Sequence, residues 1–206
     1  MWAIAAAYFI GSIPTALIIG KLFFGVDIRD HGSNNPGATN SLRVMGKKAA
    51  LFVLVIDAGK GALAASLPAF LFVSVDPLYL GFAAVIGHCF PIFAGFRGGK
   101  AIATTAGMLL IANLPLFFVA YLSFVLVIFL TKYVFFGSIS VGLSLLVYSF
   151  IIPETGPSLL FGLFTIFLFY LHRSNIRNLI LGIEPKINDK NIKKDRIPPS
   201  GSLPFS

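Results

Sequence analysis

The chain has 206 residues, of which 57% are hydrophobic and only 12% are charged. An average soluble domain is about half apolar and about a quarter charged, so this composition excludes a soluble single domain and a disordered chain. Lys and Arg exceed Asp and Glu by 16 to 8, and the one cysteine, Cys89, excludes an intrachain disulfide scaffold. The sequence therefore predicts a polytopic membrane protein.

Seven apolar segments follow one another along the chain, and we interpret them as candidate membrane helices. They cover approximately residues 1–22, 48–73, 77–96, 101–114, 115–131, 138–153 and 157–173. A helix that crosses the bilayer core needs about 20 residues, so the segment at 101–114 is short. Three alternatives stay open for it: a short span completed by its flanks, a tilted pair with the next segment, and a re-entrant piece.

The loops between these segments differ in charge. Loops at 75–77, 114–115 and 153–157 contain no Lys or Arg, whereas the other loops and their adjoining helix ends hold every cation except Lys60. Lys and Arg concentrate in cytoplasmic loops of membrane proteins. The pattern therefore predicts an all-α fold of seven transmembrane helices, with the N-terminus outside and the C-terminus in the cytoplasm.

The last part of the chain differs from the rest in composition. From Gly182 to Ser206 it contains four prolines and mixed charges. We therefore expect a single integral-membrane domain over 1–184 and a loosely ordered cytoplasmic tail over 185–206. The final residues are compatible with either native sequence or a cloning remnant.

One pair of opposite charges lies inside the second apolar segment. Lys60 follows Asp57 by three residues, so the two side chains share a helix face. They form either a neutralised pair that packs this segment against its neighbours or a polar group that supports a functional site.

The first predicted cytoplasmic loop is rich in small and amide side chains. Sequence of this kind forms turns more readily than helices. The guanidinium of Arg43 is planar and suits a phosphate group. We predict an anion-binding loop, with a solvated linker as the alternative. Its candidate binding residues are Ser33, Asn34, Asn40 and Arg43.

A second motif, Gly98-Gly99-Lys100, precedes the fourth segment. A helix N-terminus offers N–H groups and a partial positive charge, so this motif, with Thr104 in the following turn, predicts a phosphate site. It is not a nucleotide-binding Walker motif, because positions 94 and 101 both hold Ala. The alternative is a basic anchor at the membrane surface.

Further polar residues lie at the same predicted membrane face. Ser138 begins the sixth segment, where capping of a helix is the alternative role. His172, Asn175 and Arg177 follow the seventh segment. His172 could move protons near neutral pH and Asn175 could donate to a carbonyl oxygen. Contact with lipid headgroups is the alternative for this group.

Several familiar motifs are absent from the sequence. It contains no His-x-x-x-x-Asp, no cluster of Asp that would hold Mg²⁺, and no Gly-x-Ser-x-Gly nucleophile elbow. A covalent acyl-enzyme is therefore disfavoured. We expect no metal, no cofactor, no nucleic acid and no obligate protein partner, with the lipid bilayer as the surroundings.

The motifs together resemble a known family, the bacterial acyl-phosphate glycerol-3-phosphate acyltransferases of the PlsY type. The resemblance covers nearly the whole chain up to Glu184. The matching motifs are Gly11-Ser-Ile-Pro14, Gly32-Ser-Asn-Asn-Pro-Gly-Ala-Thr-Asn40 with Arg43, Asp57-x-x-Lys60-Gly61, Gly87-His-x-Phe-Pro91, Gly98-Gly-Lys-x-x-Ala-Thr104, and His172-Arg-x-Asn-Ile176 with Gly182-x-Glu184. Two departures are Ala101, where the family usually has Gly, and Asn178, where it often has Arg.

The resemblance implies a seven-span protein of the bacterial inner membrane with its active site at the cytoplasmic face. It implies acyl phosphate as donor, glycerol 3-phosphate as acceptor, and 1-acyl-glycerol 3-phosphate and inorganic phosphate as products. A membrane carrier or exporter of a small phosphate ester is the alternative function, and a lipid-binding subunit is a third.

The expected site residues follow from the motifs and the resemblance together. The expected catalytic residues are Lys100, His172 and Asn175. The expected substrate-binding residues are Ser33, Asn34, Asn40, Arg43, Gly98, Gly99, Lys100, Thr104, Ser138 and Arg177, with Asp57 and Lys60 as a supporting pair.

Overall fold

The structure is a computed structural model that describes residues 1–189 and Ile197. Most of the tail predicted over 185–206 therefore lies outside the described residues. Within them, all regular secondary structure is helical. The α-helices are α1 (Trp2–Gly11), α2 (Thr15–Phe24), α3 (Ala38–Val44), α4 (Lys47–Leu71), α5 (Pro77–Cys89), α6 (Ile102–Ala112), α7 (Leu114–Thr131), α8 (Val134–Ile151), α9 (Ser158–Leu171) and α10 (Arg173–Ile180). Three short 3₁₀ turns lie at Ile28–Asp30, Ile92–Ala94 and Pro153–Thr155.

The described chain forms two compact units. The first contains Met1–Ala112, and the second contains Asn113–Asp189. Ile197 belongs to the first unit, where its N–H donates to the carbonyl of Val44 at 2.9 Å. Helices α1 to α6 thus belong to one unit, and α7 to α10 to the other.

Several helical stretches are long and apolar enough to cross a membrane. In the described part of the chain these are Trp2–Phe24, Lys47–Leu71, Pro77–Ala94, Leu114–Thr131 and Val134–Ile151. Helices α9 and α10, bent by 50°, make a sixth if they count as one span. The prediction of an all-α, multi-pass membrane protein is confirmed, whereas the number of seven spans and the orientation of the termini stay predictions.

Helix α6 corresponds to the short apolar segment at 101–114, for which three alternatives were open. It has 11 residues, which gives a length of about 16 Å. The hydrocarbon core of a bilayer is about 30 Å thick, so α6 alone does not cross it.

The first apolar segment is interrupted. Helix α1 ends at Gly11 and α2 begins at Thr15, with Pro14 at the N-cap of α2. Proline has no N–H to donate to the preceding turn, so a continuous helix cannot pass through it with all of its hydrogen bonds. The break leaves backbone carbonyl groups inside a predicted span, where other polar groups must satisfy them.

The sixth segment begins earlier than the sequence analysis predicted. Helix α8 starts at Val134, with Tyr133 at its N-cap. Ser138 therefore lies in the second turn, and its hydroxyl donates to the carbonyl of Val134 at 3.1 Å. The prediction that Ser138 opens this helix, and the capping role that followed from it, are wrong.

Helices α4 and α6 approach each other through glycines. A Cβ atom on Gly61 would overlap the carbonyl of Thr104, and one on Gly107 would overlap the carbonyl of Ala58. Small residues at such positions let the backbones of membrane helices come close. The short α6 is thus held against the long α4 by backbone contact.

This packing predicts opposite effects for two alanine substitutions on α4. Gly61→Ala should destabilise the fold by about 1–3 kcal/mol, because the added methyl overpacks the contact with α6. The control is Gly59→Ala, since a Cβ on Gly59 meets nothing within 4 Å. It should be neutral or stabilising, because Ala forms helix better than Gly. Thermal unfolding in detergent measures both. Equal stability of the two variants would contradict the packing.

Candidate active site

The amide-rich loop before α4 is shaped by the side chain of Asn40. Its Oδ1 accepts the N–H of Ser33 at 2.8 Å, and its Nδ2 donates to the carbonyls of His31 at 2.9 Å and Ile28 at 3.2 Å. Asn40 is fully buried, and Gly32, at φ +60°, leaves room for its amide. Both amide hydrogens of Asn40 are used inside the loop, so its side chain organises the loop. These hydrogens are therefore not available to a ligand.

A second set of contacts fixes the same loop to the chain after α5. Both carboxylate oxygens of Asp27 accept from the guanidinium of Arg29, at 2.9 and 2.7 Å. Nη1 of Arg29 also donates to the carbonyl of Ala94 at 2.9 Å, and Nδ2 of Asn34 donates to the carbonyl of Arg29 at 2.9 Å. This clamp was not predicted from the sequence, where the Asp-x-Arg spacing was the available signal.

A small pocket, partly open to solvent, lies in the first unit. Pro36 of the loop and Gly98 and Gly99 of the second motif line the same pocket. The remaining lining residues are Ile13, Pro14, Thr15, Leu17, Lys60, His88, Pro91 and Arg97. The structure thus brings two predicted motifs together around a pocket that has Lys60 and Arg97 in its wall.

The backbone N–H groups of Gly98 and Gly99 form hydrogen bonds inside the protein, while their predicted contact with a substrate stays a prediction. Their N–H groups donate to the carbonyls of Cys89 and His88, each at 3.1 Å, so they are not directed at a ligand. A Cβ on either glycine would overlap atoms of His88. The glycines therefore allow close packing. The N–H groups that have no carbonyl partner inside a helix belong instead to the first turn of α6, residues 102–104.

The other predicted binding residues of the first unit lie near these elements in the sequence. Lys100 follows Gly99 and is half-buried, as is Arg43 in the last turn of α3. Ser33 is exposed. Thr104 is fully buried, and its hydroxyl has no hydrogen-bond partner among the described residues.

The predicted pair inside α4 forms a buried cluster. Oδ1 of Asp57 accepts from Nζ of Lys60 and from the hydroxyl of Thr15, each at 2.9 Å. Nζ of Lys60 also donates to the carbonyl of Ile13 at 2.9 Å, which satisfies the break between α1 and α2. The pair fixes the packing of this part of the chain, and Lys60 also lines the pocket, while support of a functional site stays a prediction.

In the second unit, His172 lies between α9 and α10. Its Nδ1 is 2.9 Å from the carbonyl of Leu168. A carbonyl oxygen only accepts, so Nδ1 carries the hydrogen and Nε2 is the acceptor nitrogen of the neutral ring. The bend at His172 means that His172 and Asn175 do not lie on one continuous straight helix.

Asn175 is held by an acidic residue beyond α10. Its Nδ2 donates to Oε1 of Glu184 at 2.6 Å. The chain turns back at Gly182, where φ is +72°, and the N–H of Glu184 donates to the carbonyl of Asn178 at 3.1 Å. Glu184 therefore orients the amide of Asn175, whereas Arg177 is exposed on α10.

These features define a class, a multi-pass membrane protein with a pocket that has Lys60 and Arg97 in its wall, and the comparisons with known proteins define its family. The profile of the family described as Glycerol-3-phosphate acyltransferase matches residues 1–182. A glycerol-3-phosphate acyltransferase of Bacillus subtilis (strain 168) is 47% identical over 184 residues, which are 89% of this chain and 95% of the relative. One of Geobacillus kaustophilus (strain HTA426) is 45% identical over 183 residues, 88% and 92% of the two chains.

Solved structures agree with the sequence comparison. The chain is similar to the crystal structure of PlsY (YgiH), an integral membrane glycerol 3-phosphate acyltransferase, in its glycerol 3-phosphate form. The TM-score is 0.81 and the identity 32%, over 91% of this chain and 94% of that one. For the lysophosphatidic acid form the TM-score is 0.79 and the identity 31%, over 93% and 96%. The chain belongs to the glycerol-3-phosphate acyltransferase family of the PlsY type.

The clamp at Asp27 predicts a dependence of stability on pH. Hydrogen bonding from Arg29 lowers the pKa of Asp27 from 3.8 to about 2. The clamp is therefore fully stabilising above pH 4 and is lost as the pH falls towards 2. Asp27→Asn should be less stable than the wild type by of the order of 1–2 kcal/mol at pH 6, and this difference should shrink below pH 4. Thermal unfolding across this range measures it, and a constant difference would contradict the assignment.

Proposed function

We propose that the protein transfers an acyl group from acyl phosphate to the 1-hydroxyl of glycerol 3-phosphate. The hydroxyl oxygen forms a bond to the acyl carbon, and the bond from that carbon to the phosphate oxygen breaks. The products are 1-acyl-glycerol 3-phosphate and inorganic phosphate. The observation that carries the proposal is the pocket with Lys60 and Arg97 in its wall, next to Lys100, in a chain of this family.

The first requirement of this reaction is to hold two anions side by side. Cations fixed around a pocket reduce the repulsion between two phosphate groups and place the hydroxyl against the acyl carbon. We assign one substrate phosphate to Lys100 and the first turn of α6. We assign the glycerol 3-phosphate headgroup to Arg43, Ser33 and Asn34, on the loop that Asn40 organises.

The remaining binding contacts are proposed from the motifs. Thr104 has a buried hydroxyl that lacks a partner among the described residues, so it offers a donor next to the start of α6. Ser138 and Arg177 complete the phosphate contacts. Gly98 and Gly99 contribute by close packing, which places Lys100.

The proposed chemistry at the acyl group needs few groups. Acyl phosphate is already activated, so its carbonyl is attacked directly, without an acyl-enzyme. Asn175, oriented by Glu184, donates to the carbonyl oxygen on which negative charge develops. The proton of the hydroxyl passes either to Nε2 of His172 or to the departing phosphate.

The proposed setting is the bacterial inner membrane, with the site at the cytoplasmic face. We propose seven spans, with α6 completed by its flanks, and one functional domain over 1–184. Support comes from the alternation along the chain of loops that contain no Lys or Arg with loops that contain several. Further support comes from the five to six candidate spans among the described residues.

Purified protein in lipid vesicles tests the proposal directly. With acyl phosphate and labelled glycerol 3-phosphate, we expect phosphate release that depends on the acceptor, together with labelled 1-acyl-glycerol 3-phosphate. Omission of the acceptor is the control. Flux of glycerol 3-phosphate without acyl phosphate would favour a carrier instead, and neither product nor flux would contradict both functions.

Lys100→Ala should lower acyl transfer at least about a hundredfold, because it removes a charged phosphate contact in a partly dry site. The matched control is Lys47→Ala, which removes an exposed cation at the start of α4 and should leave activity near that of the wild type. Both variants should insert and fold. Near wild-type turnover of Lys100→Ala would show that its assignment to phosphate is wrong.

Two substitutions of His172 distinguish hydrogen bonding from proton transfer. Because the donor is already activated, we expect His172→Gln to keep at least about tenfold more activity than His172→Ala. The glutamine retains an amide that can hydrogen-bond but cannot take a proton near neutral pH. Initial rates of acyl transfer decide this. Equal losses would overturn the expectation and favour transfer of the hydroxyl proton to His172.

A further inference from the structure

A buried histidine that the proposed mechanism does not use supports the turn before Lys100. The N–H of Gly99 donates to the carbonyl of His88, and the N–H of Gly98 donates to that of Cys89. A Cβ on Gly99 would overlap Nε2 of His88. The turn therefore follows the end of α5, and Gly99 rests on the ring of His88.

The other side of the same ring faces the buried carboxylate. Nδ1 of His88 lies 3.6 Å from Oδ1 of Asp57 and has no hydrogen-bond partner among the described residues. His88 is only 7% exposed, so its ring has little freedom to move. Asp57 is itself fixed by Thr15 and Lys60. The ring thus fills the space between a fixed carboxylate and Gly99.

We propose that His88 is a positioning residue, which transmits the fixed position of Asp57 to Gly99 and so sets where Lys100 holds a substrate phosphate. The inference rests on the proposed function, because the role of Lys100 belongs to it. Lys100 is bonded directly to Gly99, so a shift of the glycine displaces the lysine. A misplacement of about 1 Å in a binding group can cost about a hundredfold in rate.

A direct contact between His88 and a ligand is the competing explanation, because His88 also lines the pocket. The two explanations differ in how His88 and Gly99 depend on each other. A positioning role acts through the contact between the ring and the glycine, so changes on its two sides compensate. If His88 contacts the ligand directly, His88→Ala removes that contact whatever residue occupies position 99. The effects of the two substitutions on KM then multiply in the double variant.

The test measures KM in the single and double variants. The substrate held by Lys100 is first identified as the one whose KM rises in Lys100→Arg. We expect Gly99→Ala to raise this KM at least about tenfold, while the KM of the other substrate changes less than about twofold. The double variant His88→Ala/Gly99→Ala gives the added methyl group room, so its KM should be at least about threefold below that of Gly99→Ala.

The controls separate positioning from general damage. Partial unfolding lowers the active fraction and hence the apparent kcat, but it leaves KM unchanged. Ile86→Ala, an exposed position on the same helix, should leave both KM values unchanged. If His88→Ala does not fold, Gly99→Ala alone can still overturn the inference, because the inference requires that only one KM rises.

Three results would overturn the inference. They are effects on KM that multiply in the double variant, a lower kcat of Gly99→Ala without a change in its KM values, and equal rises of both KM values in Gly99→Ala. Each of these leaves the wild-type reaction intact. A wild type without acyl transfer would instead contradict the proposed function, so the two failures are distinguishable.

Discussion

The first unit depends on how the break between α1 and α2 is satisfied. A bilayer core offers no water to the carbonyl groups that an interrupted helix leaves behind, so protein groups must bind them. Nζ of Lys60 does so at Ile13, and Asp57 balances its charge while accepting from Thr15. A buried charge pair of this kind is stable only with further hydrogen bonds, which the break itself provides. The residues at the break, Ile13, Pro14 and Thr15, can therefore line the pocket.

The membrane setting of the site also bears on the proposed catalysis, which depends mostly on how the two substrates are placed. A site that binds two phosphate groups next to lipid needs fixed cations more than it needs acids and bases. The structure supplies rigid backbone supports for them. The loop is held by Asn40 and Arg29, and the turn at Gly99 is held by the end of α5. In the proposed reaction, the departing phosphate can then accept the hydroxyl proton, and no covalent enzyme intermediate is needed.

The sequence predicted the elements better than their contacts. The positions of the apolar segments followed from the length that a bilayer imposes, and the polar motifs at Gly98 and Asn40 were found from residue type alone. What Asn40 and Gly98 do was not predictable, because each is fixed by backbone groups that are not adjacent in the sequence. The start of α8 was also missed, since Val134 and Phe135 before Ser138 carry no capping signal. The position of the His88 ring between Asp57 and Gly99 was also not predictable, because the three residues are far apart in the sequence.

The most direct measurement is an experimental structure of this protein in lipid with glycerol 3-phosphate bound. We expect the phosphate or the glycerol hydroxyls to occupy the pocket between Pro36 and Gly99, with a phosphate oxygen in contact with the ammonium group of Lys100 or the guanidinium of Arg43. A ligand bound elsewhere, with this pocket empty and both cations turned away from the ligand, would contradict the central claim.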